Sequence, residues 1–415
     1  MRFLKLLSAL AIAGCASSIV RQQSTLSDAE LLDRARDVHQ RIITIDTHDD
    51  IPLTFATPEV DPLNADRQVN LTKMKAGGLD VAFFIVFVGQ TPRTAENYER
   101  AKADAMTKFN AIHRMTKTMY PDRIELAYSP ADVVRIHDSG KLVAAIGIEN
   151  GYVIGKDLSL IKTYFDLGAR YMTLAHGQNN DLCDSSTDQR GPEHNGVSAF
   201  GRQVVAEMNR VGMMVDISHV SKDCMMQATA MSKAPVVASH SSTRAYADVP
   251  RNLDDEQLRA IRKNGGVAQM VALAGFVKVN PPAKVAAIDT LRRSMGITGG
   301  RGALAALSPE QRAEYGRRLA EIEAKWPGPN VADFVNHIDH AVTVAGIDHV
   351  GISSDFDGGG GIRGWRDASE TMNVTAELIR RGYSEAQIRK LWGGNFLRVW
   401  TENQLKASYE PRFQR

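Results

Sequence analysis

GRQVVAEMNRV (201–211), Gly212, then MMVDISH (213–219) is the stretch that decides the fold. Its first part is an amphipathic helical pattern, and its second is a short apolar strand, Met213–Asp216, that runs out into Ser218 and His219. The same grammar recurs on both sides. Downstream come Val236–Ser239, ending at His240, and Val267–Val271, with the amphipathic stretch Asp255–Lys263 between them. Upstream come Ile42–Asp46, Leu79–Phe87, Leu142–Ile148 and Tyr171–Leu174, and the last is Val350–Ser353 after the amphipathic stretch Val331–Ala345. Continuous apolar strands alternating with helices imply a parallel sheet covered on both faces. Eight such units predict an α/β chain closed into a (β/α)₈ TIM-like barrel, a single catalytic domain with inserted loops. A doubly wound open sheet is the alternative and needs fewer strands.

Composition agrees with an ordinary globular domain: 43% hydrophobic, 24% charged and 7% aromatic residues exclude collagen-like, coiled-coil and largely disordered chains. Lys plus Arg number 50 against 48 Asp plus Glu. Two of the cations, Arg2 and Lys5, lie in a leader, and without them no excess is left to neutralise phosphates, so no nucleic-acid partner is expected. That leader has a charged start, an apolar run from Leu6 to Ala13, and small residues before Cys15. The run is too short to span a bilayer, which takes about 20 residues. Ile12-Ala13-Gly14-Cys15 resembles a bacterial lipobox. The expectation is a lipoprotein-type signal peptide over 1–14, lipidation at Cys15, a tether over 15–26, and a barrel domain over 27–415. The protein is then exported, to the periplasm or the outer face of a bacterial membrane, and held there by its lipid alone.

Capping boxes are read at Ser27/Glu30, opening a helix to about Arg41, and at Ser308/Gln311, opening a helix to Trp326. The second lies in an insertion at about 274–330, read as an elaborated loop serving as a lid or an interface. Gly358 to Gly361 fit no phosphate-binding pattern and read as a flexible loop. His337 and His340, spaced i, i+3, read as a solvated helix face, and Cys183 and Cys224 as a pair able to bridge in an oxidising compartment.

Active-site groups of a (β/α)₈ barrel project from the C-terminal ends of its strands. There this sequence places Asp46-Thr47-His48-Asp49-Asp50, Glu149, His219, His240 and Asp355. Strand alternation sets Asp46, His48 and Asp50 on one face, with Asp46 as support behind a ligand. His48, Asp50, Glu149, His219 and His240 suffice for two divalent ions, with Glu149 bridging and a hydroxide between the metals as nucleophile. Asp355, outside that set, suits proton transfer. Metal-assisted hydrolysis is the chemistry these residue types support.

These strand ends resemble the renal (membrane) dipeptidase family, zinc metallopeptidases on a (β/α)₈ barrel. The likeness spans about Ile42 to Val399 and rests on Ile45–Asp50, Gly147–Gly151, Gly168–His176, Asp216–Ser221, Ala234–Ser242, Pro250–Asn252 and Val350–Gly358. It implies one zinc on His48, Asp50 and Glu149, and a second on Glu149, His219 and His240. It further implies that His176 steadies the tetrahedral oxyanion, Arg251 holds the substrate carboxylate, and Asp355 protonates the departing amine. Dipeptides are the implied substrates, and a homodimer the implied assembly. Asn150 departs from the family, where glycine is common, and the loop 177–195 diverges. Two other readings are an amidohydrolase or acylase acting on N-acyl amino acids or cyclic amides, and a catalytically silent binding lipoprotein. Against the first, many such barrels use a carboxylated lysine from the fourth strand, and no lysine occurs between Arg170 and His176. Against the second, every expected site position is filled.

Overall fold

The computed structural model describes residues 23–298, 303–304 and 307–409; the leader over 1–14 and Cys15 lie outside the described residues. The strands are β1 (Ile45–Asp50), β2 (Val81–Phe87), β3 (Ile124–Leu126), β4 (Leu142–Glu149), β5 (Ala169–Thr173), β6 (Met214–Asp216), β7 (Val237–Ala238), β8 (Val267–Val271) and β9 (Val350–Ser353). Every named pairing is parallel, and the path runs β1-β2-β4-β5-β6-β7-β8-β9. The backbone N–H of Asp50 donates to Phe356 O at 2.9 Å just beyond β9, bringing the two ends of the path together. This is the expected TIM-like barrel with helices between its strands. The short β3 was not expected from the sequence; it pairs β4 off that path.

Alternation along the strands divides the core into two layers. Ile45, Val81, Phe83, Ile85, Val143, Ala145, Tyr171, Met214, Val237 and Val267 fill the barrel. The helix Asn395–Lys406 closes its lower end, with Phe396 and Trp400 edge-on to Phe83 at 5.1 and 5.8 Å. Their neighbours along each strand, such as Ala82, Phe84 and Val86, belong to the outer layer under the helices. Burying one such aliphatic or aromatic side chain contributes about 1.5–3 kcal/mol, so the lower half of the barrel is a stiff base for polar groups above it.

Several expectations shift. β1 begins three residues later than read and runs through Asp50, because its buried polar residues find partners at the barrel top: Thr47 Oγ1 donates to Ser239 O at 2.7 Å. Its register with β2 slips between Asp46 and Asp49, a bulge that breaks the expected alternation. Asp46 therefore does not share a face with His48 and Asp50; its Oδ1 accepts from the backbone N–H of Ser354 at 2.9 Å and of His48 at 3.3 Å.

The run after β9 is a tight turn, not a flexible loop, in which the amides of Gly358, Gly359 and Gly360 all donate to Asp355 O. His337 is buried, not solvated: its Nδ1 meets the Thr243 amide at 3.0 Å and its Nε2 faces Val277 O at 2.9 Å. The start of the 274–330 insertion covers that helix face, which its own periodicity could not reveal. The insertion carries the helices Ala274–Val277, Pro282–Ser294 and Pro309–Lys325, the last two packed together. Both capping boxes form. Cys183 and Cys224 are free, buried thiols, and the Cys224 thiol hydrogen-bonds that of Cys183. No helix among the described residues is long and apolar enough to cross a membrane.

Candidate active site

A cavity of about 500 Å³ opens at the C-terminal ends of the strands, and Asp50, Glu149, His176, His219, His240, Arg251 and Asp355 all line it. His48 lies just beneath, fully buried, its ring centre 3.7 Å from that of His240 and tilted 33° to it. His48, Asp50, Glu149, His176, His219, His240, Arg251 and Asp355, the catalytic, binding and metal-ligating residues expected from the sequence, therefore meet at one place, while Cys15 lies outside the described residues.

Glu149, the last residue of β4, is the hub. Its Oε2 faces His48 Nε2 at 3.5 Å, while its Oε1 faces His219 Nε2 at 2.8 Å, and His240 and His176 Nε2 each at 3.5 Å. One carboxylate thus turns a separate oxygen to each of two imidazole sets. Asp50 Oδ2 completes the first side, 3.7 Å from His48 Nε2.

The imidazoles are oriented from behind. Tyr171 Oη donates to Thr47 O at 2.8 Å, so it accepts from His48 Nδ1–H at 3.1 Å, and Nε2 is the nitrogen turned toward the carboxylates. Gly147 makes this possible, because a Cβ there would overlap the Tyr171 ring. In the same way Ser239 Oγ donates to Asp216 Oδ2 at 2.7 Å and accepts from His240 Nδ1 at 2.8 Å. Tyr171, Ser239 and Asp216 were not assigned to the site from sequence. The available signals were a strand glycine opposite an aromatic on the next strand, and a serine preceding a strand-end histidine.

Backbone geometry adds precision. His219, Asp355 and Asn150 have φ of 68°, 59° and 77°. This left-handed region explains why glycine suits position 150; here the Asn150 side chain compensates by accepting from Tyr152 N and donating to Val88 O. Ser186 N donates to His219 O at 2.8 Å and Ser221 N to Asp184 O at 2.8 Å, so the divergent 177–195 loop is pinned to the His219 turn. A Cβ on Gly358 would overlap both Asp50 Oδ2 and Asp355 Oδ1, so only glycine lets the turn close over these carboxylates.

The electrostatics describe a pocket built around positive charge. Burial pushes Asp50 up to about 6, with Glu149 adding to the effect. Burial, together with Asp50 and Glu149, lifts Asp355 well above the usual carboxylate range. Burial also opposes charge on His48, yet Glu149 and Asp50 outweigh it and raise that imidazole to about 9. His219 and His240 are held well below the ordinary histidine value, first by burial and then by Arg251 and His48 respectively, so both stay neutral. Glu149 is held low in spite of burial by the surrounding imidazoles. Buried His48 Nε2 has no hydrogen-bond partner among the described residues, an unmet valence aimed at carboxylates. The neutral imidazoles of His219 and His240, the carboxylates, and His48 Nε2, whose proton a metal ion would replace, fit a divalent cation. Three overlapping groups could each hold one: His48, Glu149 and His240; Glu149, His176 and His219; and His48, Asp50 and Asp355. The grouping differs from the expected ligand sets by drawing in His176 and Asp355.

Arg251 forms the opposite wall. Its Nη1 donates to Ser241 Oγ and its Nη2 to His240 O, each at 2.9 Å, while buried Nε has no partner among the described residues. Burial lowers it to about 10, so it remains a cation at neutral pH.

A sequence model described as membrane dipeptidase (peptidase family M19) matches residues 32–412. Dipeptidase tcpJ of Claviceps purpurea is 33% identical over 341 residues, covering 80% of this chain and 69% of its own. Dipeptidase verJ of Clonostachys rogersoniana is 30% identical over 396 residues, covering 92% and 89%. The crystal structure of the probable dipeptidase PvdM from Pseudomonas aeruginosa superposes with a TM-score of 0.80 at 34% identity, covering 91% of this chain and all of that one. A match running nearly end to end, over a barrel whose strand ends converge on one polar cavity, leaves one placement: this chain belongs to the membrane dipeptidase family, peptidase family M19, and is a hydrolase of the metallopeptidase kind.

Proposed function

We propose that this protein hydrolyses the peptide bond of free dipeptides with two divalent ions, zinc by likeness to its family. His48, Asp50 and Glu149 would hold one ion, and Glu149, His219 and His240 the other. The observation that carries this reading is the split of Glu149, with Oε2 toward His48 and Oε1 toward His219 and His240. Such a pair of ions polarises a carbonyl and generates a hydroxide near neutral pH.

The protein's own groups do the rest. The partnerless Nε–H of Arg251 takes the substrate's terminal carboxylate, assisted by the guanidinium charge. His176 stands at the open side of Glu149, its side chain 35% exposed, and its ring donates to the oxygen that becomes negative in the transition state. Asp355, whose carboxyl lines the cavity from the turn after β9, passes a proton from its carboxyl oxygen to the leaving nitrogen. Tyr171 and Ser239 keep His48 and His240 in the tautomers that leave Nε2 unprotonated. For the leader, lipidation of Cys15 and export remain our proposal; fatty-acid labelling abolished by Cys15→Ser tests it.

The deciding experiment combines metal analysis with a panel of L,L and L,D dipeptides, a tripeptide and an N-acylated dipeptide, with and without chelator. Two ions per chain and chelator-sensitive cleavage of free dipeptides are expected. Glu149→Gln should remove the paired site, and full activity with two ions in that variant would refute the assignment. Cleavage of the blocked compound alone would favour an acylase, and no turnover with both ions bound would mean that the substrate class is wrong although the site is right.

A further inference from the structure

One cation in the cavity has no task in this reaction. Lys108 lies on the helix Ala95–Arg114, on the face that carries the buried residues Ala101, Ala105 and Ile112. A lysine at that spacing occupies a position where the periodicity calls for an apolar side chain. It is only 6% exposed, yet it lines the catalytic cavity together with Phe87, His176 and Arg251. Its Nζ lies 5.8 Å from the centre of the Phe87 ring, which packs 4.7 Å from the His176 ring. Among the described residues Nζ makes no hydrogen bond and no ion pair; it feels Asp50 and Glu149 only through space. Burying an unpaired ammonium is costly, and such groups persist where a partner arrives.

Its neighbour shows the contrast. Arg67, in the same cavity, is already engaged: Nη2 donates to Asp50 O and pairs with Asp357 Oδ2 at 3.1 Å. Asp50 and Glu149 are also not lasting partners for Lys108. On the reading proposed above, on which this inference rests, both carboxylates are neutralised by divalent ions, and Lys108 is left facing the cavity uncompensated.

Position then identifies the missing partner. Arg251 is held just beyond the end of β7, by His240 O and Ser241 Oγ, whereas Lys108 lies beside Phe87 at the end of β2. These strands are second and sixth of the eight along the path, so the two cations face the cavity from opposite sides. A dipeptide with its terminal carboxylate on Arg251 and its peptide bond over Glu149 directs its N-terminal side chain toward Phe87 and Lys108. We propose that Lys108 is a specificity-determining residue that pairs with a carboxylate on that side chain, so that the preferred substrates are dipeptides with an N-terminal glutamate or aspartate.

The test compares Glu-Ala with its neutral isostere Gln-Ala, on the metal-loaded wild type and on Lys108→Met, whose apolar side chain suits the helix face. In the wild type, kcat/KM for Glu-Ala should exceed that for Gln-Ala by about tenfold or more, as expected for a charge-assisted hydrogen bond. In Lys108→Met the ratio should fall to about one, with two ions still present by metal analysis. Calorimetry with phosphinic analogues of the two dipeptides gives a readout independent of turnover, and the Glu form should bind at least about tenfold tighter to the wild type alone. Equal handling of the two by the wild type, or a preference that survives in Lys108→Met, overturns the inference. Cleavage of Ala-Ala with no Glu preference sinks only this inference. Selective binding of the Glu analogue without hydrolysis of any dipeptide sinks the dipeptidase reading and leaves Lys108 as the selector.

Discussion

Tyr171→Phe isolates the part of the site that orients rather than binds. The substitution removes one oxygen and leaves the ring stacked on Phe83 at 5.6 Å, so packing inside the barrel is preserved. Two buried groups lose their partner at once: Thr47 O, now 2.8 Å from the hydroxyl, and His48 Nδ1, at 3.1 Å. An unsatisfied buried group costs about 1–3 kcal/mol, so unfolding free energy should fall by an amount of that order. The informative effect is the second one. Without Tyr171 the His48 ring is free to choose the tautomer with hydrogen on Nε2, which removes the lone pair facing Glu149 and Asp50. Loss of such outer support typically weakens metal binding about 10–100-fold, or about 1.4–2.7 kcal/mol. Competition against a chelating indicator measures the two ions separately, and the loss should fall on the ion at the His48 side. A variant that melts earlier but binds both ions within about twofold of the wild type would show that Tyr171 only fills space, and the tautomer argument would be wrong.

Three further outcomes follow from the geometry. His176→Ala should lower kcat about 10²–10³-fold with little change in KM, as for removal of an oxyanion donor; a change confined to KM would instead make His176 a ground-state binding group. Gly358→Ala should fold yet lose activity and metal, because its Cβ would intrude on Asp50 Oδ2 and Asp355 Oδ1, and a fully loaded, active variant would contradict that packing. Away from the site, burial depresses His39 to about 4 against the hydrogen bond to Gly78 O. Its stabilising contribution is therefore complete above about pH 6.5 and drains away as pH falls toward 4, by up to about 3 kcal/mol. Chemical denaturation of wild type and His39→Gln at pH 7 and pH 4 checks this: the loss between the two pH values should be smaller in the variant.

What the sequence made legible follows from where each signal resides. Barrel class and the strand-end histidines and carboxylates are local facts: an apolar run that ends in Glu149, His219 or His240 shows both the strand and its chemistry within a few residues. Arg251 had no such local mark and came only through resemblance, because its role depends on Ser241 and His240 holding its guanidinium from a neighbouring strand end. Tyr171, Gly147 and Gly358 were not assigned to the site for the same reason. Each acts across strands, through a register that no single segment encodes. The β1 bulge is the sharpest case: period-two reasoning put Asp46 beside His48, and a one-residue slip against β2 sent it to the Ser354 amide. His337 failed differently, because a helix records which face is apolar and not that the start of an insertion will cover the polar residue on that face.

These misses share a cause with the site's function. The lower barrel is specified by size and apolarity, which sequence displays plainly, while the upper barrel is specified by mutual orientation. His48 depends on a tyrosine from β5, which depends on a glycine in β4. His240 depends on Ser239, which depends on Asp216 of β6. Left-handed backbone at His219 and Asp355 then turns the chain sharply at the point where each side chain must enter the cavity. Such a site tolerates little movement, since His48 and His240 are fixed at the nitrogen away from Glu149 and His219 by the turn that carries it. Lys108 is the exception: it is held by its helix alone, with its charge unspent. A rigid constellation that performs one reaction, beside a single uncommitted charge on a packed helix, separates the chemistry from the choice of substrate. Changing residue 108 should therefore move specificity before it moves catalysis.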